Sequence, residues 1–266
     1  MTIVRALLAA TMVALGLLAG AVSADARWAP VSWSERKAYA IEFVEARAGV
    51  ESFAFVDEEG RLHGYHRWRP TPSASVLKPM LMVAYLNLGS VRDRALDDRD
   101  RSLLAPMIKR SDNATASAVL SIVGNSGLYR VARRAHMRHF RVHLPVWGLT
   151  EITAGDQARF FYRIETYVPA RHRAYARYLL SHIVSSQRWG IPPEVPAGWK
   201  VFFKGGWGSG TGRVTHQVAL LEQDDRRLAI AVLTEFNPSH DYGTRTIHGV
   251  AARLLRVPLP GPTPSG

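Results

Sequence analysis

The chain has 266 residues, of which 47% are hydrophobic, and its mean hydropathy of -0.07 is that of an ordinary soluble globular protein. This length supports one sizeable domain, or two interleaved lobes, with a substantial core. The absence of cysteine excludes a disulfide framework and a lipid-modified cysteine. The net charge of +12 admits an anionic partner, but only five of the 34 basic residues are lysine and no long basic block occurs, which favours composition bias.

The N-terminal segment predicts a secretory signal peptide over residues 1–26. Arg5 precedes nineteen uncharged residues at 6–24, and small residues at 22–24 and 24–26 fit cleavage by signal peptidase. An uncleaved membrane anchor is the alternative, because nineteen apolar residues nearly span a bilayer, but the many Ala and Gly residues favour cleavage. We therefore expect an exported protein, whether secreted, periplasmic or cell-wall-associated, with membrane contact only through an uncleaved signal.

Hydrophobic periodicity predicts the remaining elements in chain order. A helix is expected at 32–49 and a β-hairpin at 50–68. Further helical segments are expected at 75–88, 102–109, 114–123, 126–136, 153–167 and 170–187. The period then changes, and the chain is expected to close with strands at 199–206, 215–223 and 227–236, a helix at 243–257 and a Pro-rich tail at 259–266.

Strands near both ends of the chain, with helices between them, predict an α+β fold. One antiparallel sheet is expected to be flanked by helices and joined to a separate all-helical lobe. We expect a single domain of this kind to span residues 27–258.

The motif Ser75-Val76-Leu77-Lys78 places a hydroxyl and an amine three residues apart at the start of a predicted helix. Positions three apart share one helix face, so the Lys amine can reach the Ser oxygen. A helix N-terminus lowers the pKa of the amine and offers N–H groups to an oxyanion. These are the parts of an activated nucleophile. Ser34-Glu35-Arg36-Lys37 has the same spacing, and we interpret that copy as an exposed helix face.

Two further motifs are ambiguous when taken alone. Ser111-Asp112-Asn113 precedes a run of small apolar residues, and helix capping by Asn113 explains such a triplet without any catalytic role. Lys204-Gly205-Gly206 ends a strand-like run, where two glycines leave room for a ligand against the strand edge. A strand that turns into a loop needs glycines as well.

Taken together, the three motifs resemble those of the penicillin-recognising serine hydrolases, the class A β-lactamases and the low-molecular-mass D,D-peptidases. The motifs occur in the family's order, and the resemblance covers residues 32–257, including "ITAGDQARFF" and the closing strand and helix. It implies a β-lactamase/D,D-peptidase-like fold with the active site between the helical lobe and the sheet. The chain departs from the family at Gly205, where the usual Thr or Ser would supply a ligand-binding hydroxyl.

The resemblance implies four catalytic residues. Ser75 is the nucleophile, and Lys78 in its neutral form is the base. Ser111 passes the proton to the leaving nitrogen, helped by Lys204. A chain that uses 29 arginines places two of its five lysines in this set, where a group able to lose its proton is needed.

The resemblance also implies the residues that contact substrate. Asn113 binds a substrate amide, while Asp112 holds the loop. The backbone N–H groups of Ser75 and Trp207 hold the oxyanion. The strand residues Gly205 and Gly206 face the ligand. Independently of the resemblance, Arg213, Thr215 and His216 lie just beyond the Lys-Gly-Gly strand and are candidates to meet a substrate carboxylate, while an Arg at such a position is often only a surface residue.

The segment that should hold the deacylation base departs from the class A pattern. Class A enzymes need an omega-loop Glu to activate the water that hydrolyses the acyl-enzyme. Between Asp112 and Glu151 this chain has no Asp or Glu, and the segment is about ten residues shorter than the class A loop. Glu151 is the one candidate, and its closeness to the next helix disfavours it. Acylation would be intact and deacylation slow.

We expect no metal and no cofactor. His136, His139 and His143 have helix-like spacing, but arginines surround them and no carboxylate or cysteine lies among them. An exported protein also seldom meets nucleic acid, so the same basic stretch does not predict a nucleic-acid site.

Three hypotheses about function follow. The first is an exported serine hydrolase of β-lactamase type, a potential antibiotic-resistance enzyme that opens β-lactams or related acyl amides through an acyl-enzyme on Ser75. The second is a slow-deacylating penicillin-binding or D,D-peptidase-like protein, and the third is a non-catalytic cell-wall binding module on the same fold. The expected partner is a β-lactam or a small molecule like a peptidoglycan stem peptide, and the protein is expected to be a monomer.

Overall fold

The computed structural model describes residues 31–256. The predicted signal peptide at 1–26, the tail at 259–266 and both ends of the predicted domain at 27–258 lie outside the described residues. Within the described part, no helix combines the length and apolar character needed to cross a bilayer.

The order of the helices and strands broadly follows the prediction from the sequence. The strands are β1 (Val50–Val56), β2 (Leu62–Tyr65), β3 (Thr71–Pro72), β4 (Glu151–Ile152), β5 (Lys200–Gly208), β6 (Val214–Gln223) and β7 (Arg226–Glu235). The helices are α1 (Trp33–Glu45), α2 (Lys78–Leu86), α3 (Asp98–Lys109), α4 (Asn113–Arg134), α5 (Ala154–Tyr162), α6 (Ile164–Tyr167), α7 (Arg173–Ser181) and α8 (His240–Leu255). Two short 3-10 turns border the site described below: Ala74–Leu77 and Trp147–Leu149.

Five strands form one antiparallel sheet in the order β2-β1-β7-β6-β5. Successive side chains of β1 enter different cores, because a strand points them alternately to its two faces. Phe53 and Phe55 join the core formed with α1 and α8, and Ala54 and Val56 join the core that continues into the helical lobe. Helices therefore cover both faces of the sheet, and the predicted α+β class is confirmed.

The helical lobe is centred on α2, in which all nine residues are buried. A helix that is apolar on every side belongs in the middle of a lobe, and α2 packs against α3 and α4. Pro79 stands in the first turn of α2, where its missing N–H costs no helical hydrogen bond.

Element boundaries differ from the prediction at several places. The helix predicted at 153–167 divides into α5 and α6, and the segment predicted as helix at 170–187 contains α7 between two short 3-10 turns. The helix predicted at 75–88 is a 3-10 turn followed by α2. The segments predicted at 114–123 and 126–136 form the single helix α4, interrupted at Gly124, whose φ is 62°. The two-stranded pairing of β3 with β4, which fixes the chain next to Ser75, was not predicted.

Candidate active site

Lys78 is the first residue of α2 and is fully buried. Its Nζ contacts the main-chain oxygen of Ser111, the Ser111 Oγ at 3.1 Å and the Asn113 Oδ1 at 2.8 Å. Burial lowers the pKa of Lys78 to about 7, and the charge of Asp112 offsets part of that effect. A substantial share of this amine is therefore neutral near pH 7 and can act as a base.

Lys204 reaches the same point from β5. It is also fully buried, and its Nζ lies 2.9 Å from Ser111 Oγ and 2.7 Å from the carbonyl oxygen of Gly205. Burial, together with the charge of Lys78, holds the pKa of Lys204 well below its usual range. One hydroxyl, that of Ser111, thus lies between two amines and connects them by hydrogen bonds.

The Ser-Asp-Asn triplet combines a structural cap with two site residues. Asp112, not Asn113, is the N-cap of α4, and its carboxylate accepts from Thr115 N at 2.7 Å. Capping by Asp112 leaves the side chains of Ser111 and Asn113 free to meet Lys78. Ser111 has φ 60°, a left-handed conformation that is uncommon outside glycine and that often marks a functional position.

Ser75 lies in the 3-10 turn one turn before Lys78 and is half-buried. Its carbonyl oxygen accepts from the Lys78 backbone N–H. Within residues 31–256 the Ser75 hydroxyl makes no hydrogen bond, so the expected direct bond to the Lys78 amine is not formed here. Catalytic hydrogen bonds are often long in unliganded sites and shorten when substrate binds.

Gly206 brings β5 against the backbone of the nucleophile. A Cβ at Gly206 would lie 2.8 Å from both Ser75 N and Val76 N, so only glycine allows this approach. Trp207 follows directly on β5. The close approach places the strand that carries the Trp207 N–H beside the Ser75 N–H, the two donors predicted to hold the oxyanion.

An aromatic ring lies where a side chain at position 205 would project. A Cβ there would lie 3.1 Å from the ring of Trp189. Trp207 meets Trp189 edge-on with centroids 5.8 Å apart, and His240 packs within 5.3 Å of Trp189 and 5.5 Å of Trp207. Sequence reasoning missed Trp189 and His240, because no fixed spacing connects them to the three motifs.

Arg213 lines an open groove of about 250 Å³ beside this aromatic group. The predicted role of Arg213 towards a substrate carboxylate is compatible with that position. The other groove-lining residues are Trp207, Gly208, Ser209, Val214, Thr215, Asn237, Pro238, Ser239 and His240.

His216, in contrast, is a structural residue. It is fully buried, accepts from Thr234 N at Nδ1 (3.1 Å) and donates from Nε2 to the carbonyl of Pro72 (2.8 Å). Burial lowers its pKa to about 4, so the ring is neutral. The expectation that His216 faces a substrate carboxylate is not supported, because both ring nitrogens connect strands.

Within residues 31–256, the Glu151 carboxylate contacts Arg141 and His143 and forms no ion pair with Lys78 or Lys204. Glu151 lies on β4, and its carboxylate lies 3.5 Å from Arg141 Nε and 3.4 Å from His143 Nε2. The side chain that the structure places next to Lys78 is instead Trp147, whose ring centroid lies 5.3 Å from Nζ. Its indole Nε1 donates to Ser117 Oγ at 3.1 Å. Sequence reasoning missed Trp147 as well.

Residues 31–256 contain no group of three His, Cys, Asp or Glu side chains arranged to hold a metal ion. The absence of cofactors stays a prediction.

A family model and solved structures both relate this chain to β-lactamases. A family model described as "Beta-lactamase enzyme family" matches residues 99–257, more than half of the chain. No curated protein sequence matches significantly.

Solved structures share the fold at low sequence identity. A β-lactamase from Sphaerobacter thermophilus is 21% identical, with 84% of this chain and 96% of that one covered and a TM-score of 0.71. An ancestral (GNCA) class A β-lactamase is 19% identical over 82% and 98%, with a TM-score of 0.70. A β-lactamase from Xanthomonas campestris is 15% identical over 85% and 98%, with a TM-score of 0.72. The chain belongs to the β-lactamase enzyme family.

Proposed function

We propose that this member of the β-lactamase family is an exported serine hydrolase that opens β-lactams through an acyl-enzyme on Ser75. The observation that carries the proposal is the position of Ser111 Oγ, 3.1 Å from Lys78 Nζ and 2.9 Å from Lys204 Nζ. Two buried amines joined through one hydroxyl form a proton path, and an isolated helix cap has no need of either lysine.

The acylation step uses groups that lie around this path. The Ser75 Oγ attacks the lactam carbonyl while Lys78, in its neutral form, takes the hydroxyl proton. The developing oxyanion is held by the N–H groups of Ser75 and Trp207. Ser111 delivers a proton to the lactam nitrogen as the C–N bond breaks, so the opened ring stays attached to Ser75.

Deacylation is the slow step in this proposal. The carboxylate of Glu151 is paired with Arg141 and His143, and the sequence offers no other acid between Asp112 and Glu151. General-base assistance is worth about 10²–10⁴-fold, and a water without a dedicated base attacks the ester correspondingly slowly. This feature supports the second candidate, a slow-deacylating penicillin-binding or D,D-peptidase-like protein, which shares the acylation step and differs in turnover.

A chromogenic β-lactam tests the proposal. We expect a burst of one ring opened per protein molecule, followed by slow steady turnover, and we expect both to vanish in Ser75→Ala. Fast hydrolysis without a burst would contradict slow deacylation. The absence of any ring opening by the folded protein would favour a non-catalytic wall-binding module. Export is tested by locating the protein after expression with residues 1–26 and by sequencing its mature N-terminus.

A further inference from the structure

The ring of Trp147 lies against Lys78, beside the residues that hydrogen-bond its amine. Ser111 and Asn113 supply all three polar contacts of the amine, and the indole ring lies 5.3 Å from Nζ. The ring is held in place by its bond to Ser117, which lies four residues after Asn113 on the same face of α4. The start of α4, together with Ser111 just before it, thus contacts both the amine and the ring.

This arrangement surrounds the Lys78 amine with polar contacts and one aromatic ring. The amine is fully buried, and its polar contacts are taken by Ser111 and Asn113. A water that reaches Nζ competes with those contacts and with the indole. Gly148, next to Trp147, lies close to the backbone of Ala74: a Cβ added at Gly148 would be 3.8 Å from the Ala74 Cα. The turn that carries Trp147 therefore also contacts the turn that carries Ser75.

We infer that Trp147 is a positioning residue that keeps water from Lys78 and thereby sets the lifetime of the acyl-enzyme. The inference rests on the proposed function and names Lys78 as the group that becomes the deacylation base when the indole is removed. In that step the water oxygen bonds to the acyl carbon and its proton passes to the Lys78 amine. The bond from Ser75 Oγ to the acyl carbon then breaks, and Oγ recovers the proton from Lys78.

The test compares the native protein with Trp147→Ala, Trp147→Leu and Trp147→Phe. Each protein is acylated with benzylpenicillin, freed of excess ligand and followed by intact mass. We expect the adduct lifetime to fall at least about tenfold in Trp147→Ala, because a water now reaches a base. Trp147→Phe keeps an aromatic face over Nζ and should retain most of the native lifetime. Trp147→Leu removes the aromatic face but loses less volume than Trp147→Ala, so it serves if the Ala variant does not fold, and its adduct lifetime should fall between those of the Ala and Phe variants.

A second readout separates this role from general loosening of the fold. Hydration of Lys78 raises its pKa towards the ordinary value, so the midpoint of the acylation pH profile should move upward in Trp147→Ala and Trp147→Leu and stay in place in Trp147→Phe. An unchanged adduct lifetime in folded Trp147→Ala or Trp147→Leu would overturn the inference. Failure of the native protein to form any adduct would instead overturn the proposed function.

Discussion

The same four-residue motif occurs twice in this protein, and its two copies lie in opposite surroundings. Ser34–Lys37 lies near the start of α1, where Ser34 is exposed, Lys37 is half-buried and Glu35 completes a capping box with Ser32. Ser75–Lys78 spans a 3-10 turn and the start of α2, where Lys78 is fully buried. The spacing of hydroxyl and amine is identical, so the spacing alone does not make a nucleophile.

The surroundings supply the difference. Lys78 meets Ser111, Asn113 and, through Ser111, the second buried amine of Lys204. Within residues 31–256, the amine of the half-buried Lys37 has no hydrogen-bond or ion-pair partner. A Ser-x-x-Lys motif therefore becomes chemically informative when other elements of the fold remove its lysine from water and provide a proton path.

Exchanging each lysine for methionine should give the largest contrast between the copies. Lys78→Met removes the base, and we expect the rate of acylation by a chromogenic β-lactam to fall about 10²–10⁴-fold. Lys37→Met removes a lysine of the same spacing and should leave that rate unchanged. Thermal melting verifies that both variants are folded. A loss of less than about tenfold in folded Lys78→Met would exclude Lys78 as the base.

Adding one methyl group to β5 should have the next largest effect. In Gly206→Ala the new Cβ would lie 2.8 Å from Ser75 N and Val76 N, and the strand must withdraw. Losing an oxyanion donor costs about 10²–10³ in rate, and we expect a loss of this order in acylation. Gly210→Ala is the matched control, since nothing lies within 4 Å of the added methyl. Equal acylation rates in the two variants would remove the assigned role of Gly206.

The pH dependence of acylation should reflect the burial of Lys78. Its pKa is lowered to about 7, and only the neutral amine accepts the Ser75 proton. The neutral fraction rises from about one tenth at one pH unit below this pKa to about nine tenths at one unit above it. Burst rates should therefore rise with pH through a midpoint near neutrality. A midpoint close to that of an ordinary lysine would contradict the assignment.

The smallest effect is expected at Glu151. Its carboxylate is paired with Arg141 and His143, so Glu151→Gln should change steady-state hydrolysis by less than about threefold, far below the 10²–10⁴ of a general base. Intact mass then compares the adduct lifetime in Glu151→Gln with that in the native protein. A lifetime at least about tenfold longer in Glu151→Gln would identify Glu151 as the deacylation base.

Much of the fold and the centre of the site can be predicted from the sequence. Strand and helix periods indicate the order of the elements, and three motifs indicate that Lys78, Ser111 and Lys204 meet. The side chains that surround them cannot be predicted in this way. Trp147 and Trp189 reach the site from loops and short turns, whose positions depend on tertiary packing and carry no periodic signal.

The choice of Asp112 as helix cap also lay beyond sequence reasoning. Ser, Asp and Asn have nearly equal capping preferences, so the triplet leaves the choice open. In the structure the buried amine of Lys78 contacts the side chains of Ser111 and Asn113, and Asp112 caps the helix.

The most direct measurement is intact mass followed by peptide mapping after incubation with benzylpenicillin. Opening the lactam keeps both halves of the ring on the nucleophile, so the adduct should add the mass of one whole penicillin. We expect that adduct on Ser75, with Ser34 unmodified, and none in Ser75→Ala. A modification that maps elsewhere or persists in Ser75→Ala would contradict the assignment of the nucleophile, as would a folded native protein that neither forms an adduct nor hydrolyses the penicillin.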